Sequence, residues 1–399
     1  MTSSEKTYEI GVVGGAGHVG LPLALMFAVC GKRTLIQDIN SQALDVIGSG
    51  VMPHIEHDAD DYLKQALDSG NLSLNEEPSS LAEADTIVIT IGTPVDEFLN
   101  PVQREIQKCI DGLLDYLNDD QLIVLRSTVY PGTTDWLDRY LRSHGKNPLI
   151  AFCPERVVQG FAIRELKSMP QIVSGTTPKA AERAAQLFEL FAPETIEVTP
   201  LEAEFAKLFT NAYRYIEFAA TNQLYMIADS AGVDFYRVHE AVTHGYPRMQ
   251  AFPRAGFAAG PCLFKDTMQL AAFANNQFSL GHNAMMVNEG LVLYVVDKMR
   301  QQFDLSNLTV GLLGAAFKAE IDDIRSSLSY KLKKLLAIQA KQVLMTDPFV
   351  SEDPDLVSLD EVLAQSDVLV LCVPHKAYKA LDYSKRNVVD VWGINQDVG

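Results

Sequence analysis

Tyr8-Glu9-Ile10-Gly11-Val12-Val13-Gly14-Gly15-Ala16-Gly17-His18-Val19-Gly20-Leu21-Pro22-Leu23-Ala24 is the stretch that decides the fold. Tyr8–Val13 is a short β-rich run, the chain turns apolar and helix-like from Leu21, and a glycine cluster separates the two. Gly15, Gly17 and Gly20 form G-x-G-x-x-G. At a strand-to-helix junction such glycines let the backbone approach a pyrophosphate, while the helix N-terminus offers amide hydrogens and partial positive charge. Asp38 ends the next strand, Thr34–Gln37, near the expected spacing of about 20 residues for a ribose-binding carboxylate. It would accept from ribose hydroxyls and repel a 2′-phosphate, which favours NAD over NADP. The cofactor set is therefore Gly15, Gly17, His18, Val19, Gly20 and Asp38. The competing reading, a glycine-rich packing turn, leaves Asp38 unexplained.

Outward from this motif, residues 86–91, Leu122–Leu125, Leu149–Phe152 and Gln171–Val173 read as further buried strands separated by helical sequence. Apolar strands alternating with helices imply a parallel sheet covered on both faces. Two strand ends carry small polar residues, Thr93 before Pro94 and Ser127-Thr128, and ligands of open parallel sheets sit beyond such ends. Helix capping explains these residues equally well.

Near Pro200 the texture changes. Residues 201–232 hold no glycine or proline until Gly232, which predicts one long helix. A Gly/Pro-rich stretch spans residues 245–261, and residues 264–300 read as mostly helical. Strand-helix alternation then resumes, with strands at Thr309–Leu313, 342–345, 368–373 and 388–391. The expected class is α/β, with two Rossmann-like parallel-sheet domains joined by a long central helix and helical connector. The expected boundaries are 1–199, 200–303 and 304–399.

Composition narrows the function classes. The 399 residues, 47% hydrophobic and 21% charged, suit an ordinary globular protein and exclude a disordered chain or a small stapled scaffold. Thirty-three basic against 51 acidic residues give a net charge of −18, which argues against nucleic acid or an anionic membrane as partner. An anionic substrate must then be held by a few specific cations. Five scattered cysteines without a CxxC pair argue against a disulfide framework or a zinc site and for a reducing compartment. No metal is expected. With no signal-like N-terminus and no apolar run of spanning length, a cytoplasmic location is expected.

Lys207, Asn211 and Arg214 stand at i, i+4 and i+7 on the long helix and so share a face. Their neighbours Phe205, Leu208, Phe209, Ala212 and Ile216 are apolar, so the expected setting is buried, where a cation needs an anion or carboxylate. A desolvated lysine suits general acid–base work; a solvated helix face is the alternative. Cys262 lies in Gly256-Phe257-Ala258-Ala259-Gly260-Pro261-Cys262-Leu263-Phe264-Lys265-Asp266, a small-residue loop that lets a ligand approach a thiol tuned by Lys265 or Asp266. Buried filler is the other reading of a lone cysteine. Glu155 and Arg156, just past the strand Leu149–Phe152, read either as a water-holding carboxylate with an anion-binding arginine or as a surface ion pair.

Seven features recur here in one order: GxGxxGLPLA, Gly92-Thr93-Pro94 after a strand, a strand ending in Ser-Thr, Pro154-Glu155-Arg156, a Lys-xxx-Asn helix, a loop cysteine followed by Lys-Asp, and Phe317-Lys318 with a downstream Asp322-Asp323-Ile324-Arg325. Together they resemble the UDP-glucose/GDP-mannose dehydrogenase family of nucleotide-sugar 6-dehydrogenases, from about Ile10 to Trp392. The resemblance implies a four-electron oxidation of a sugar C6 alcohol to a carboxylate with two NAD⁺. By motif position it makes Cys262 the nucleophile that carries a thiohemiacetal and then a thioester. Lys207 becomes the acid/base, Asn211 an oxyanion stabiliser, Asp266 an aid to proton transfer, and Glu155 the holder of the hydrolytic water. It assigns Phe317, Lys318, Arg325 and Arg248 to the UDP-sugar, with Arg248 reaching a neighbouring subunit's site. Arg156, Val157, Lys207, Asn211, Arg214 and Gly256 complete the substrate set, and a homodimer through the central helix is implied.

The loop departs from the family's usual Gly-x-Gly-Gly-x-Cys by one residue, and Asn222-Gln223 stands where Asn-Glu is common. Pro154-Glu155-Arg156-Val157 is closer to members acting on UDP-N-acetylhexosamines, such as UDP-N-acetylmannosamine, than to the Pro-Glu-Phe-Leu of UDP-glucose enzymes; UDP-glucose is the runner-up. A single-step β-hydroxyacid dehydrogenase would need neither the loop cysteine nor a second α/β domain. A binding protein without turnover would have no use for Lys207, Asn211, Cys262 and Asp266.

Overall fold

The computed structural model describes residues 6–96, 104–257 and 260–394. It divides into two compact units, Met1–Phe209 and Thr210–Gly399.

In the first unit, six parallel strands run in the order β3-β2-β1-β4-β5-β6. These are β1 (Tyr8–Val13), β2 (Thr34–Gln37), β3 (Leu72–Asn75), β4 (Ala84–Ile89), β5 (Leu122–Leu125) and β6 (Leu149–Phe152). The reversal of strand order between β1 and β4 makes the switch point at which such sheets bind ligands. The helix Gly20–Val29 follows β1, and nine of its ten residues are buried, which is why its sequence is apolar on every face. Apolar residues of β1, β4, β5 and β6 feed cores on both sides of the sheet.

In this unit two strand readings are corrected and two strands are added. β4 spans Ala84–Ile89 rather than 86–91, because at Thr90 the chain leaves the ladder and the Thr90 hydroxyl donates to the Val13 carbonyl at 2.7 Å. Gln171–Val173 (β7) belongs to a separate two-stranded sheet with β8 (Thr195–Glu197). β3 escapes the sequence reading because alternating Leu-Ser-Leu-Asn at a sheet edge carries too little apolar signal.

The central helix runs Pro200–Ser230 and stops at Gly232, whose φ of 69° suits a residue without a Cβ. In the second unit, the stretch 264–300 is two helices, Leu263–Phe273 and Ser279–Gln302. Asn275 and Asn276, at φ 51° and 59°, end the first, since asparagine tolerates the left-handed conformation. Four parallel strands follow in the order β10-β9-β11-β12: β9 (Thr309–Leu313), β10 (Gln342–Thr346), β11 (Val368–Leu371) and β12 (Asn387–Asp390). Here too the order reverses, between β9 and β11, and the segment from Gly314 to Arg325 leaves that second switch point. The α/β class with two parallel Rossmann-like sheets and a long central helix is thus observed.

Candidate active site

In the first unit the glycine loop has the shape a dinucleotide needs. A Cβ on Gly20 would come within 2.5 Å of the Gly14 carbonyl oxygen, and one on Gly15 within 2.8 Å of the Val12 oxygen. Both glycines therefore permit the tight turn, whereas Gly17 is exposed and meets nothing nearer than the Gly14 oxygen at 3.4 Å. Asp38 follows β2; its Oδ2 accepts from the Ala16 amide at 3.0 Å and its Oδ1 from Asn40 at 3.0 Å, fixing the carboxylate beside the loop. His18 packs on His54 with ring centroids 4.0 Å apart and meets Gln159 through Nδ1, and Val19 is the N-cap residue just before the helix that starts at Gly20. The Thr93 hydroxyl donates to the Thr128 carbonyl at 2.6 Å and the Ser127 hydroxyl to the Ile91 carbonyl at 2.6 Å, which ties the ends of β4 and β5 together. An open Gly17, a fixed carboxylate after β2 and amides at the helix start together suit NAD.

Glu155, past β6, is buried and saturated. Its Oε2 accepts from Arg126 Nε at 3.0 Å and Nη2 at 2.6 Å; its Oε1 accepts from the amides of Arg156 at 2.6 Å and Val157 at 2.8 Å. A carboxylate offers about four acceptor positions, and all are taken by N–H donors. Arg126 is fully buried, donates also to the Cys153 and Pro154 carbonyls, and lies 4.7 Å from the Phe188 ring centroid. The surface ion-pair reading of Glu155 is corrected: its partner is Arg126 in the interior, not the adjacent Arg156. Arg156 is half-buried and donates to the Pro170 carbonyl. Burial, with the nearby Arg126 charge, depresses its pKa.

On the central helix, Lys207 is buried, and Glu204 lies one turn before it. Glu204 accepts from the Gly132 amide at 2.5 Å and from the Thr134 amide and hydroxyl at 2.8 and 2.6 Å, capping the helix Thr133–Ser143. Burial raises its pKa, against the lowering effect of those hydrogen bonds. Arg214 corrects the expectation of one buried face: Lys207 and Asn211 are buried, but Arg214 is exposed, as are Phe209 at 55% and Tyr213 at 63%. Seven residues of helix fall only about 20° short of two turns, so the spacing does keep the three on one side, and it is the packing along the helix that leaves Arg214 in solvent.

In the second unit Asp266 is wholly buried on the helix Leu263–Phe273. Its Oδ2 accepts from Asn211 Nδ2 at 2.5 Å, and Lys265 Nζ lies 3.4 Å from its Oδ1. Cys262 is exposed at the N-terminus of the same helix, one turn before Asp266, whose amide donates to the Cys262 carbonyl at 2.9 Å. A helix N-terminus and a cation both favour a thiolate. Arg325 is a cation within electrostatic reach of the thiol, and both oxygens of Asp323 hold its guanidinium at 2.6–3.0 Å. Its pKa is raised by that hydrogen bond, with a smaller contribution from the charge of Cys262. The other four cysteines hold no such position: burial pushes the thiols of Cys109 up to about 11 and of Cys153 and Cys372 up to about 12, and raises that of Cys30.

Gly256 and Gly260 flank the loop before Cys262, of which Ala258 and Ala259 lie outside the described residues. A Cβ on Gly256 would strike the Trp392 ring at 2.4 Å and one on Gly260 the Phe317 ring at 2.7 Å. Phe317 donates its amide to the Asp323 carbonyl at 2.9 Å, which closes the loop that also carries Lys318 and Arg325. Arg248 sits on an exposed segment and donates to the Tyr246 hydroxyl at 2.8 Å. Sequence reasoning missed Arg126, Glu204 and Asn288. Asn288 leaves no local signal, whereas a charged residue amid apolar ones, as at Arg126 and Glu204, asks for a buried partner.

A dinucleotide-binding Rossmann unit, a thiol at a helix N-terminus and a second parallel sheet define the class: an NAD-dependent oxidoreductase. Three domain models of one family match in order, the NAD binding domain over residues 8–192, the central domain over 201–290 and the UDP binding domain over 311–396. The chain belongs to the UDP-glucose/GDP-mannose dehydrogenase family, and it is an NAD-dependent nucleotide-sugar dehydrogenase with a UDP-binding domain. It is 29% identical to UDP-N-acetyl-D-mannosamine dehydrogenase of Pyrococcus horikoshii, over 92% of this chain and 90% of that one. It is 30% identical to an NDP-N-acetyl-D-galactosaminuronic acid dehydrogenase of Ralstonia nicotianae, over 95% of each. The solved UDP-glucose dehydrogenase of Pyrobaculum islandicum superposes with a TM-score of 0.91 at 25% identity, covering 99% of this chain and 96% of that one. Among the described residues no helix is long and apolar enough to cross a membrane.

Proposed function

We propose that the protein oxidises the C6 alcohol of a UDP-N-acetylhexosamine, UDP-N-acetylmannosamine first among them, to the uronate. The observation that carries the chemistry is the stack in the second unit: an exposed Cys262 thiol one turn before a wholly buried Asp266 that is hydrogen-bonded to Asn211. Bound NAD⁺ supplies the hydride acceptor, two equivalents per sugar. Lys207 takes the C6 hydroxyl proton in the first oxidation, and the Cys262 thiolate adds to the aldehyde carbon to give a thiohemiacetal. Asn211 donates to the C6 oxygen as its charge develops. Loss of a second hydride leaves a thioester, and water breaks its C–S bond to release the carboxylate and return the thiol. Asp266 takes part in the proton transfers, with Lys265 beside it as counter-charge.

Glu155 serves the hydrolytic step with all four acceptor positions occupied, so any water it orients must displace the Arg156 or Val157 amide. The same two hydrogen bonds shape the turn that carries Arg156, assigned with Val157 to the sugar. Phe317, Lys318 and Arg325 take the UDP portion at the second switch point. The N-acetylhexosamine choice is supported by the relatives' names and by Arg156 after Pro154-Glu155. We place the domain boundaries at 1–199, 200–303 and 304–399 and the enzyme in the cytoplasm as a homodimer. The pairing is supported by the exposed Phe209, Tyr213, Leu224 and Ile227 along the central helix, and Arg248 is assigned to the partner's site.

The test is NADH formation against UDP-N-acetylmannosamine, UDP-N-acetylglucosamine, UDP-glucose and GDP-mannose. Two NADH per sugar, abolished by Cys262→Ala, are expected. One NADH per sugar would overturn the thioester route, and a preference for UDP-glucose would overturn the substrate choice.

A further inference from the structure

Two fully buried asparagines tie the cysteine loop to the helices beneath it. Asn222 grips both polar groups of one residue: its Oδ1 accepts from the Gly256 amide at 2.9 Å, and its Nδ2 donates to the Gly256 carbonyl at 3.0 Å. The same Nδ2 donates at 2.9 Å to Oδ1 of Asn288, whose Nδ2 donates at 3.1 Å to the Tyr215 carbonyl. Both side chains are inaccessible to solvent. Burying two amides is costly unless their hydrogen bonds are met, and here the polar groups are spent on one loop residue and one helix carbonyl. Above Gly256 the Trp392 ring leaves no space for a Cβ, so the backbone is held from below by an amide and from above by an aromatic face.

We propose that Asn222 and Asn288 are positioning residues that fix the backbone at Gly256, beside the buried Phe257, and thereby set where Cys262 stands relative to Asp266, Asn211 and Arg325. At its other end Gly260 lies against Phe317 of the segment that also carries Arg325. Its two ends are thus fixed by different layers: the helical layer at Gly256 and the loop of the second switch point at Gly260. Loosening the first anchor lets the thiol drift while leaving Cys262, Lys207 and the cofactor loop chemically intact.

The proposal rests on Cys262 being the nucleophile. The full-length Asn222→Ala and Asn288→Ala variants are compared with wild type in three measurements: kcat and KM, NAD affinity, and the rate at which iodoacetamide alkylates Cys262, followed on its own peptide by mass spectrometry. A displacement near 1 Å at reacting atoms costs up to about 100-fold. Asn222→Ala is therefore expected to lower kcat on the order of 10- to 100-fold and to change the Cys262 alkylation rate several-fold, with NAD affinity unmoved. Asn288→Ala keeps both Gly256 bonds and is expected to show a smaller change in the same direction.

Wild-type kcat and alkylation rate in a folded Asn222→Ala would overturn the proposal. If that variant does not fold, Asn288→Ala decides, and unchanged values there overturn it. Cys262→Ser separates the two ideas. Turnover that survives it removes the nucleophile assignment, whereas its loss beside a wild-type Asn222→Ala removes only the clamp.

Discussion

Replacing Arg126 by methionine should cost the first unit a large part of its stability, because it strips a buried carboxylate of its only salt-bridge partner among the described residues. The guanidinium gives Glu155 two hydrogen bonds at 3.0 and 2.6 Å and the Cys153 and Pro154 carbonyls one each at 3.0 and 3.3 Å. In Arg126→Met, Glu155 keeps only the Arg156 and Val157 amides, and the two carbonyls lose a donor. Breaking one side of a buried pair costs about 3–5 kcal/mol. For a unit of this size each kcal/mol moves the midpoint by about 2–4 °C, so the transition should fall by roughly 6–20 °C.

Calorimetry of the full chain, with and without excess NAD to mark the cofactor-binding unit, reads the shift. The double variant with Glu155→Gln tests the cause. If the uncompensated charge is what hurts, the two losses are not additive, and the coupling is on the order of 0.5–3 kcal/mol. A shift below about 2 °C in Arg126→Met, less than the smallest step expected for 1 kcal/mol, or additive single effects, would refute the reasoning.

Glu204 gives a pH signature. Its carboxyl is pushed up by burial, so between its unfolded and folded pKa values the native state binds the extra proton and stability falls as pH rises. Glu204→Gln should lose that slope, which urea midpoints collected from the ordinary glutamate range upward would show. Iodoacetamide at neutral pH should label the exposed Cys262 and Cys30 long before Cys153 and Cys372, whose thiols are held near 12 by burial. In Cys30→Ser, labelling should track loss of turnover one to one; activity persisting in fully labelled protein would contradict the nucleophile assignment. Asp38→Ala removes a charged hydrogen-bond acceptor worth about 1.5–3 kcal/mol, so NAD affinity should drop roughly 10- to 150-fold while NADP improves relative to it. Equal preference before and after would sink the ribose assignment.

Local patterns determined much of this protein. Strand and helix periods place β1, β2, β5, β6, β7 and β9 to the residue, and the glycine spacing with Asp38 points to the cofactor from local sequence alone. Those features are legible because they depend on neighbours within one strand-turn-helix. The Lys207–Asn211 step was equally readable, since helical geometry alone fixes i and i+4. Tertiary structure decided the rest. That Asp266 meets Asn211, that Arg126 rather than Arg156 partners Glu155, that Arg214 faces water, and that Asn222 holds Gly256 all depend on contacts between residues far apart in the chain or on which face a helix buries. A single sequence does not encode such contacts in its spacing: whether a polar side chain is a site, a brace or a surface group is set by which distant segment supplies its hydrogen-bond partner once water is excluded.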